Sequence, residues 1–294
     1  MDLYALRVFA AVAAEKSFSR AARRLLRTQP AVSLALRRLE EQLGQTLIDR
    51  SARQVALTDA GRTALDYARR FDNLGRDLEN ALAELRDRSA GRLTIGANES
   101  TTLYLLRPIE RFRRLYPKVK VEVRRSLSSK IPAELLDGNL ELGVTSYEPA
   151  SDGLTSTVIY NDSLAFVVSP RHRLAGRRSV SIAELGMETF IAHNVTSPYK
   201  DVVLAAFQRH KVALNTDIEM PTIETIRRLV QADEGVAFIP RMCVQQELEQ
   251  RTLREVRVKE IQVERKIRLV HPLPARRTLS HAARAFLEVV KANP

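Results

Sequence analysis

Three short helical patterns follow one another in the first 43 residues, and this succession constrains the fold more than any other feature. Apolar residues from Leu3 to Ala13 recur at helical spacing, and the pattern breaks at Lys16, where Ser17 or Ser19 can cap a new helix. A second helix is expected from about Ser19 to Leu26, and a third from about Gln29 to Gln42. Two short helices joined by a tight turn predict a helix-turn-helix unit.

The third helix is amphipathic, and Pro30 is tolerated in its first turn because no amide donor is needed there. Its inward stripe is predicted to be Val32, Leu36, Leu39 and Leu43, and its outer face to be Gln29, Ser33 and Arg37. The second helix of such a unit enters the DNA major groove, where Gln can contact adenine and Arg can contact guanine. Thr28 and the helix N-terminus can hold a phosphate. A merely solvated polar face fits the same spacing.

Two short strand patterns follow the third helix and predict the hairpin that makes the unit winged. The strands are expected at 47–50 and 54–57, on either side of Ser51-Ala52-Arg53. Arg50 and Arg53 could therefore meet phosphate or the minor groove. Arg50 could instead pair with its neighbour Asp49.

The charge and cysteine content narrow the class of protein. Lys and Arg outnumber Asp and Glu by 47 to 35, a net charge of +12, which favours a polyanionic partner such as nucleic acid. No signal peptide or bilayer-spanning apolar run is found, so a cytoplasmic protein with no membrane partner is expected. Cys243 is the one cysteine, which excludes intrachain disulfides and cysteine-rich zinc sites and indicates a buried structural thiol. We expect no metal site.

A long helix is predicted from Thr58, its N-cap, to about Arg88. Apolar residues at alternating gaps of three and four form a seam along it, namely Phe71, Leu74, Leu78, Ala81 and Leu85. This seam could pack within one chain, but a helix of about 30 residues with charges elsewhere suits pairing of two chains better. Ser89-Ala90-Gly91 then makes a natural hinge.

After the hinge, strand and helix patterns alternate, which predicts an α/β domain with a parallel sheet. The first set has strands at 93–96, 119–123 and 140–145, with helices at 103–116 and 129–137. A second set has strands at 163–169, 190–192 and 236–239, with helices at 199–210 and 223–233. A strand at 267–270 and a helix at 280–291 are expected to return to the first set. Two subdomains follow from this order.

The N-terminal 65 residues resemble the LysR-type transcriptional regulators. The matching residues are Phe18-Ser19-Arg20-Ala21-Ala22, Leu25, Gln29-Pro30-Ala31-Val32-Ser33, Arg38-Leu39-Glu40, Leu43-Gly44 and Leu57-Thr58-Asp59-Ala60-Gly61. The resemblance implies that Thr28, Gln29, Pro30, Ser33 and Arg53 touch DNA. Leu34 departs from the polar or basic residue common in the family, and it could instead meet a thymine methyl.

The resemblance also implies an architecture. The expected parts are a winged helix-turn-helix domain (1–58), a dimerising linker helix (59–88), a hinge (89–91), and a two-lobed effector domain like that of periplasmic binding proteins. Effector subdomain I would comprise 92–161 and 267–294, and subdomain II 162–266. Family members pair as homodimers through the linker helix and commonly form homotetramers on double-stranded DNA, and the effector is expected between the lobes.

Three hydroxyl-rich segments, 98–102, 126–129 and 193–197, follow predicted strands of the two lobes. Ligands of open α/β sheets gather at the carboxyl ends of strands, so we expect these segments to bind a small oxyanion such as a carboxylate. The candidate residues in these segments are Ser100, Thr101, Thr102, Ser128, His193, Thr196 and Ser197, and the segment 222–225 could add a further wall through Glu224. The hydroxyls could instead only cap helices, and His193 could be an ordinary packed side chain. Glu99 would oppose an anion unless paired or turned away.

Two other functions are compatible with parts of this pattern. The two-lobed fold also serves transport receptors and enzymes, but no GxSxG, HExxH or P-loop motif is present, so catalysis is not expected and no cofactor is expected besides the effector. An architectural DNA-binding protein would lack a usable cleft. We therefore expect a regulator in which the effector changes the angle between the lobes and thereby the DNA spacing or bend.

Overall fold

The computed structural model describes residues 2–49, 55–86 and 91–292. The chain divides into two compact units. Residues 1–91 with 133–140 form the first unit, and residues 92–132 with 141–294 form the second.

The first unit opens with three helices whose starts are set by side-chain caps. They are α1 (Leu3–Glu15), α2 (Phe18–Arg24) and α3 (Gln29–Leu43). Asp2, Ser17 and Thr28 each accept a hydrogen bond from a backbone N–H in the first turn of the helix that follows. The helix-turn-helix prediction is confirmed, and Ser17 rather than Ser19 caps the second helix.

The three helices share one apolar core. Val32, Leu36 and Leu39 of α3 are fully buried and belong to the same cluster as Phe9 of α1. The predicted inward position of Leu43 is wrong, because this side chain is 39% exposed. Leu43 is the last residue of α3, where Gly44, with φ of 63°, turns the chain away.

A short hairpin and a long helix complete the first unit. Strands β1 (Ile48–Asp49) and β2 (Ala56–Leu57) pair antiparallel, as the wing prediction requires. Helix α4 (Asp59–Arg86) begins after Thr58, whose hydroxyl accepts the Gly61 N–H at 2.9 Å, so the predicted N-cap is confirmed. Glu40 Oε1 accepts from Leu47 N at 2.8 Å and Ile48 N at 3.2 Å, which fixes the entry to β1 on α3.

Gly61 lies where the first turn of α4 meets the backbone before β1. A Cβ at this position would lie 2.0 Å from the carbonyl oxygen of Leu47. That same oxygen accepts the Thr58 N–H at 3.1 Å. The close approach explains a glycine inside a helix, where it would otherwise cost about 1 kcal/mol relative to alanine.

The second unit contains the remaining strands and helices. The strands are β3 (Gly91–Ala97), β4 (Val119–Arg125), β5 (Leu142–Thr145), β6 (Leu154–Val168), β7 (Ser179–Val180), β8 (Ile191–His193), β9 (Ile218–Met220), β10 (Ala237–Pro240), β11 (Arg254–Glu255), β12 (Arg257–Val258) and β13 (Glu264–Pro272). The helices are α5 (Glu99–Leu115), α6 (Ile131–Leu136), α7 (Ile182–Leu185), α8 (Pro198–Arg209), α9 (Ile223–Ala232), α10 (Gln245–Glu249) and α11 (His281–Lys291).

The main sheet is mixed, so the prediction of a parallel sheet is wrong. Its order is β10-β6-β13-β5-β3-β4, with β11 also beside β6. Strands β3 and β5 are parallel, whereas β13 runs antiparallel to both β5 and β6, and β10 is antiparallel to β6. The chain returns to this sheet through β13. The order of strands and helices along the sequence does not show whether such a returning strand runs parallel or antiparallel to its neighbours.

Strand β6 crosses the boundary predicted at residue 162. It begins at Leu154, nine residues before the predicted start at 163, and runs without interruption to Val168. Its first part pairs with β13 and its last part with β10. We call β3, β4, β5, α5 and α11 lobe I, and residues 162–266 lobe II; β6 and β13 connect them.

Each lobe has its own buried core. In lobe I, Leu105 and Phe112 of α5 belong to one cluster with Phe286 of α11 and with β3 and β5. In lobe II, Phe166 and Val168 of β6 belong to one cluster, and Ala165 and Val167 belong to a second. Because successive side chains of β6 point to opposite faces, the two clusters lie on opposite faces of this strand, and both faces are covered by residues of lobe II. Cys243 is buried, and burial raises the pKa of its thiol to about 12, as expected of a structural thiol.

Candidate functional site

The start of α3 presents a polar face outside the core of the first unit. Thr28, Gln29, Pro30 and Arg37 are exposed and Ser33 is partly exposed. Gln29 Nε2 donates to Ser33 Oγ at 3.2 Å, so these two side chains meet one turn apart. Thr28 Oγ1 accepts the Ala31 N–H at 3.4 Å, which leaves its hydroxyl hydrogen able to donate.

This face has the chemistry of a helix that contacts DNA bases. Gln29 carries an amide with both donors and an acceptor, and Arg37 carries the guanidinium that suits guanine. Leu34 is 48% exposed beside them, which suits contact with a thymine methyl. Arg50 and Arg53, predicted to contact DNA from the wing, lie outside the described residues.

Helix α4 carries a row of exposed apolar side chains. Phe71, Leu74 and Leu78, three members of the predicted seam, are 39%, 65% and 60% exposed. Tyr67 and Leu82 on the same helix are also exposed. The side chain of Leu85 lies outside the described residues. An exposed apolar row of this length needs a covering partner.

A cavity of 750 Å³ opens within the second unit, between lobes I and II. Its wall includes Ser100 at the start of α5, Ser128 after β4, and Ser197 before α8. His193 and Thr196 also line it. The structure thus brings five of the eight predicted effector residues around one space.

The serine hydroxyls differ in their freedom to bind a ligand. Ser100 Oγ donates to Asn98 Oδ1 at 3.0 Å and accepts from Arg265 Nη2 at 3.1 Å, so it is already used in both directions. Ser128 Oγ accepts from Asn98 Nδ2 at 2.7 Å, and Ser197 Oγ accepts from Tyr199 N at 3.3 Å. Each of these two oxygens keeps a hydrogen that can be donated to an anion.

Thr101, Thr102 and Glu224 do not line the cavity, which corrects the prediction for these three. Thr101 is fully buried in the capping box of α5, and its hydroxyl bonds to the Val144 carbonyl at 3.2 Å. Thr102 donates to the Asn98 carbonyl at 2.7 Å. Glu224 is ion-paired with Arg227 and Arg228 on α9. The hydroxyls of Thr101 and Thr102 therefore serve the helix start, the alternative that the sequence left open.

Glu99 lies in the cavity wall and is contacted from both lobes. Its Oε1 accepts the N–H of Ile223, in the first turn of α9, at 2.8 Å. Its Oε2 lies 3.7 Å from both His193 Nε2 and Arg125 Nη2. His193 Nε2 also donates to the Pro221 carbonyl at 3.1 Å. Glu99 is thus held by one hydrogen bond and by the Arg125 and His193 side chains at 3.7 Å, and its Oε2 has no hydrogen-bond partner in the described part of the chain. The bond from Ile223 N to Glu99 and the bond from the Tyr199 hydroxyl to the Ser146 carbonyl join the two lobes across the cavity.

Arg265 is a cavity residue that the sequence analysis missed. Its side chain is 3% exposed, it pairs with the buried Asp162 at 2.5 Å, and Tyr199 stacks on it with 4.9 Å from Cζ to the ring centroid. Its Nε is buried without a hydrogen-bond partner in the described part of the chain. The sequence does contain a sign of this role. Arg265 lies two and four residues before the buried Ile267 and Leu269, so the alternation of the strand places its charged side chain on the inward face.

Tyr147 also lines the cavity. Its hydroxyl donates to the Ser128 carbonyl at 2.6 Å, and burial raises the pKa of the phenol. This bond fixes the loop that carries Ser128.

The two arginines at the end of β4 differ in their position relative to the cavity. Arg125 lines it, whereas Arg124 bonds to Glu122 at 2.9 Å and is not a lining residue.

Two other kinds of feature are absent from the described ranges. No helix there is long and apolar enough to cross a membrane. Within the same ranges, no group of three or more His, Cys, Asp or Glu side chains could hold a metal ion.

Comparison with protein families gives two matches that together cover almost the whole chain. Residues 3–62 match the model of the bacterial regulatory helix-turn-helix proteins of the lysR family. Residues 86–294 match the model of the LysR substrate binding domain. The second match alone spans more than half of the chain.

Individual proteins agree with these matches. A probable RuBisCO transcriptional regulator of Cyanophora paradoxa is 32% identical over 98% of this chain and 91% of its own length. Full-length CbnR, solved in complex with its target DNA, aligns over 99% of both chains with a TM-score of 0.75 and 20% identity. The CcmR regulatory domain of Synechocystis, in complex with 2-PG, covers 68% of this chain and 96% of its own length, with a TM-score of 0.61 and 20% identity. At these identities the two structures establish a shared fold alone.

Proposed function

Because the chain belongs to the lysR family of bacterial regulatory helix-turn-helix proteins, and is therefore a transcription regulator and not an enzyme, we propose that a small anion in the cavity controls its action on DNA. The observation that carries this proposal is the meeting of Ser128 and Ser197, from different lobes, around one cavity. Both hydroxyls can donate to an anion that bridges the lobes.

On the DNA side, α3 would lie in the major groove with Gln29, Ser33 and Arg37 toward the bases. Thr28 and the N-terminus of α3 would hold a phosphate, and Arg50 and Arg53 would add phosphate or minor-groove contacts. The exposed seam of α4 supports a homodimer, which would present two such helices to two half-sites, and the family supports a further assembly to a tetramer. We place this action in the cytoplasm, with no cofactor besides the effector.

The DNA proposal can be tested with a matched pair of glutamine variants. Sites selected from random duplexes would be compared with unrelated DNA by fluorescence anisotropy at fixed salt. Gln29→Ala should reduce the specific-to-nonspecific affinity ratio by about 5- to 150-fold, equivalent to the loss of about 1–3 kcal/mol of base readout. Gln42→Ala, which removes an exposed glutamine from the last turn of α3, should leave the ratio unchanged.

If Gln29→Ala bound both DNA classes as the parent chain does, Gln29 would have no part in base readout. A uniform loss on specific and unrelated DNA would instead assign Gln29 to a contact with the phosphate backbone.

On the effector side, the anion would occupy the space between Ser128 and Ser197, with Thr196 beside them. Arg125 and Arg265 also line the cavity, but each is paired with a carboxylate, Glu99 and Asp162 respectively, so the hydroxyl donors would supply the main contacts to the anion. That CcmR, a protein of the same fold, holds 2-PG in its regulatory domain supports an anionic ligand. Binding would change the angle between the lobes, because the ligand shifts only an equilibrium whose two states it binds differently.

Isothermal titration with acetate, inorganic phosphate and 2-PG would test the anion site. Ser128→Ala should weaken binding at least tenfold, since a hydrogen bond to a charged group contributes about 1.5–3 kcal/mol. Ser19→Ala, on the exposed surface of α2, serves as the control and should change nothing. Absence of binding by all three anions, or equal affinity in the Ser128→Ala variant, would contradict the proposal.

A further inference from the structure

The lobe I side of the cavity is mostly polar, whereas the lobe II side carries a set of apolar core side chains besides its polar ones, and we infer from these core side chains that the effector is a carboxylate that carries an apolar body. The inference rests on the proposed function, because it concerns the ligand of the same cavity. It adds the chemical class of the part of the ligand that does not bear the charge.

The polar side is compact. It includes Asn98, Ser100, Ser126, Ser128 and Ser146, with Tyr147 next to them, and it also carries the ion pair of Glu99 with Arg125. Ser100, Ser126 and Ser146 are buried, and all of these residues stand at the ends of β3, β4 and β5. Ser128 keeps its hydroxyl hydrogen and the Asn98 amide has a second N–H, so these two donors, together with Ser197 across the gap, suit a single carboxylate group.

The opposite side includes polar residues such as Thr196, Lys200 and Asp201, but a large part of it is built from the core of lobe II. Phe190, Ile191, Val203, Ile226 and Ile239 line the cavity although each is 4% exposed or less. Phe238 also lines it and stacks on Phe190, with ring centroids 5.9 Å apart and planes 4° from parallel. The cavity therefore reaches between core side chains, and an aromatic or aliphatic group entering it would continue their packing.

The size of the space points the same way. A two-carbon anion such as acetate displaces on the order of 100 Å³, if each displaced water takes about 30 Å³. Most of the 750 Å³ would then be left over, and much of that remainder borders apolar side chains. Water there would find few of the two to four polar partners it needs.

A strongly hydroxylated ligand of matching size fits this wall poorly. Its hydroxyls would be buried against Phe190 and Ile226 without partners, at a cost of about 1–3 kcal/mol each. An apolar body loses no hydrogen bonds on entering the same space. The wall thus selects against polar bulk as well as for apolar bulk.

The test is a chain-length series on the full chain, in which acetate, butyrate, hexanoate and octanoate are titrated by calorimetry. Phenylacetate and 4-phenylbutyrate serve as the aromatic arm. From butyrate to octanoate the affinity should rise about fourfold per added methylene, which is the ratio expected for burial of one CH₂. Comparison of the two arms shows whether Phe190 and Phe238 favour a flat ring over an alkyl chain.

Two variants of the lobe II lining complete the test. Leu214→Asn, at a half-buried lining residue, should lower octanoate affinity at least tenfold while acetate affinity stays the same. Thr216→Val, which replaces a lining hydroxyl with a methyl group, should raise octanoate affinity. The native series and Thr216→Val decide the matter even if Leu214→Asn does not fold.

The outcomes separate the two levels of the proposal. Anion binding that depends on Ser128 but shows no gain with chain length would overturn the apolar body and leave the anion site intact. A chain-length gain that is insensitive to both wall variants would overturn the assignment to lobe II. If no carboxylate or phosphate binds at all, the anion site itself fails.

Discussion

Exchange of Gly61 for alanine should destabilise the first unit, although alanine is the better helix former. The added Cβ would lie 2.0 Å from the Leu47 carbonyl oxygen, whereas an ordinary contact needs about 3.4 Å. Backbone must therefore shift by more than about 1 Å, and such overpacking costs about 1–3 kcal/mol or more. The bond from Thr58 N to Leu47 O would be strained in addition. A backbone shift of this size places the cost at the upper end of that range, so after the gain of about 1 kcal/mol in helix propensity we expect a net loss of about 2 kcal/mol.

Gly75→Ala provides a matched control on the same helix. A Cβ at position 75 would meet only the Arg7 Nη2 atom at 3.6 Å, which is an ordinary contact. This variant should gain about 1 kcal/mol. For a unit of this size, about 4–8 °C per kcal/mol, Gly61→Ala should lower the melting temperature by about 10 °C and Gly75→Ala should raise it.

Differential scanning calorimetry of the full chain measures both shifts. The transition of the first unit should move in opposite directions in the two variants, while that of the second unit should stay in place. A Gly61→Ala protein as stable as the parent would refute the argument, because it would show that the backbone around Leu47 yields at no cost.

Two further changes can be tested by equilibrium unfolding. Leu26 has a left-handed φ of 53° at the end of α2 and is 89% exposed. Leu26→Gly should therefore stabilise the first unit by about 1 kcal/mol, because glycine adopts this conformation without strain. Leu26→Ala is the control, and an equal gain in that variant would show that the effect comes from removing an exposed apolar side chain and not from relieving strain. Hydrogen bonds from Arg124 and Arg92 lower the pKa of Glu122 from its ordinary value of 4.5 to about 2. The stability gained from this lowered pKa is fully present above pH 4.5 and is lost as the pH falls toward 2. Glu122→Gln should therefore flatten the fall in the free energy of unfolding at acid pH. An unchanged acid dependence would show that the ion pairs of Glu122 do not contribute to stability.

The first unit was largely predictable from the sequence because its order is local. Ser17, Thr28 and Thr58 stand directly before the helices they cap, and hydrophobic periodicity identifies the buried stripe of α3 up to Leu39. Leu43 was misassigned because periodicity continues through a residue at which the helix itself stops. The contact between Gly61 and Leu47 joins distant segments, and no local pattern shows it.

The cavity was predictable only in part. Hydroxyl-rich segments after strands correctly indicated where Ser128 and Ser197 lie. The same composition could not separate these side chains from Thr101 and Thr102, because a hydroxyl at a helix start can cap the helix or face a ligand with equal ease. Arg265 and Asp162 escaped notice because their pairing depends on the return of β13 alongside β6, a long-range register that only the assembled sheet displays.

The position of β13 also has a consequence for the order in which the molecule is made. The three helices and the hairpin of the first unit contact one another over short separations, so they can assemble soon after their own residues leave the ribosome. Strand β5 has no link to β6 until β13 lies between them, and β13 spans residues 264–272. The sheet that joins the two lobes must therefore stay open until most of the chain has been synthesised. A nascent chain whose helix-turn-helix and wing have already folded would therefore still lack a folded effector domain.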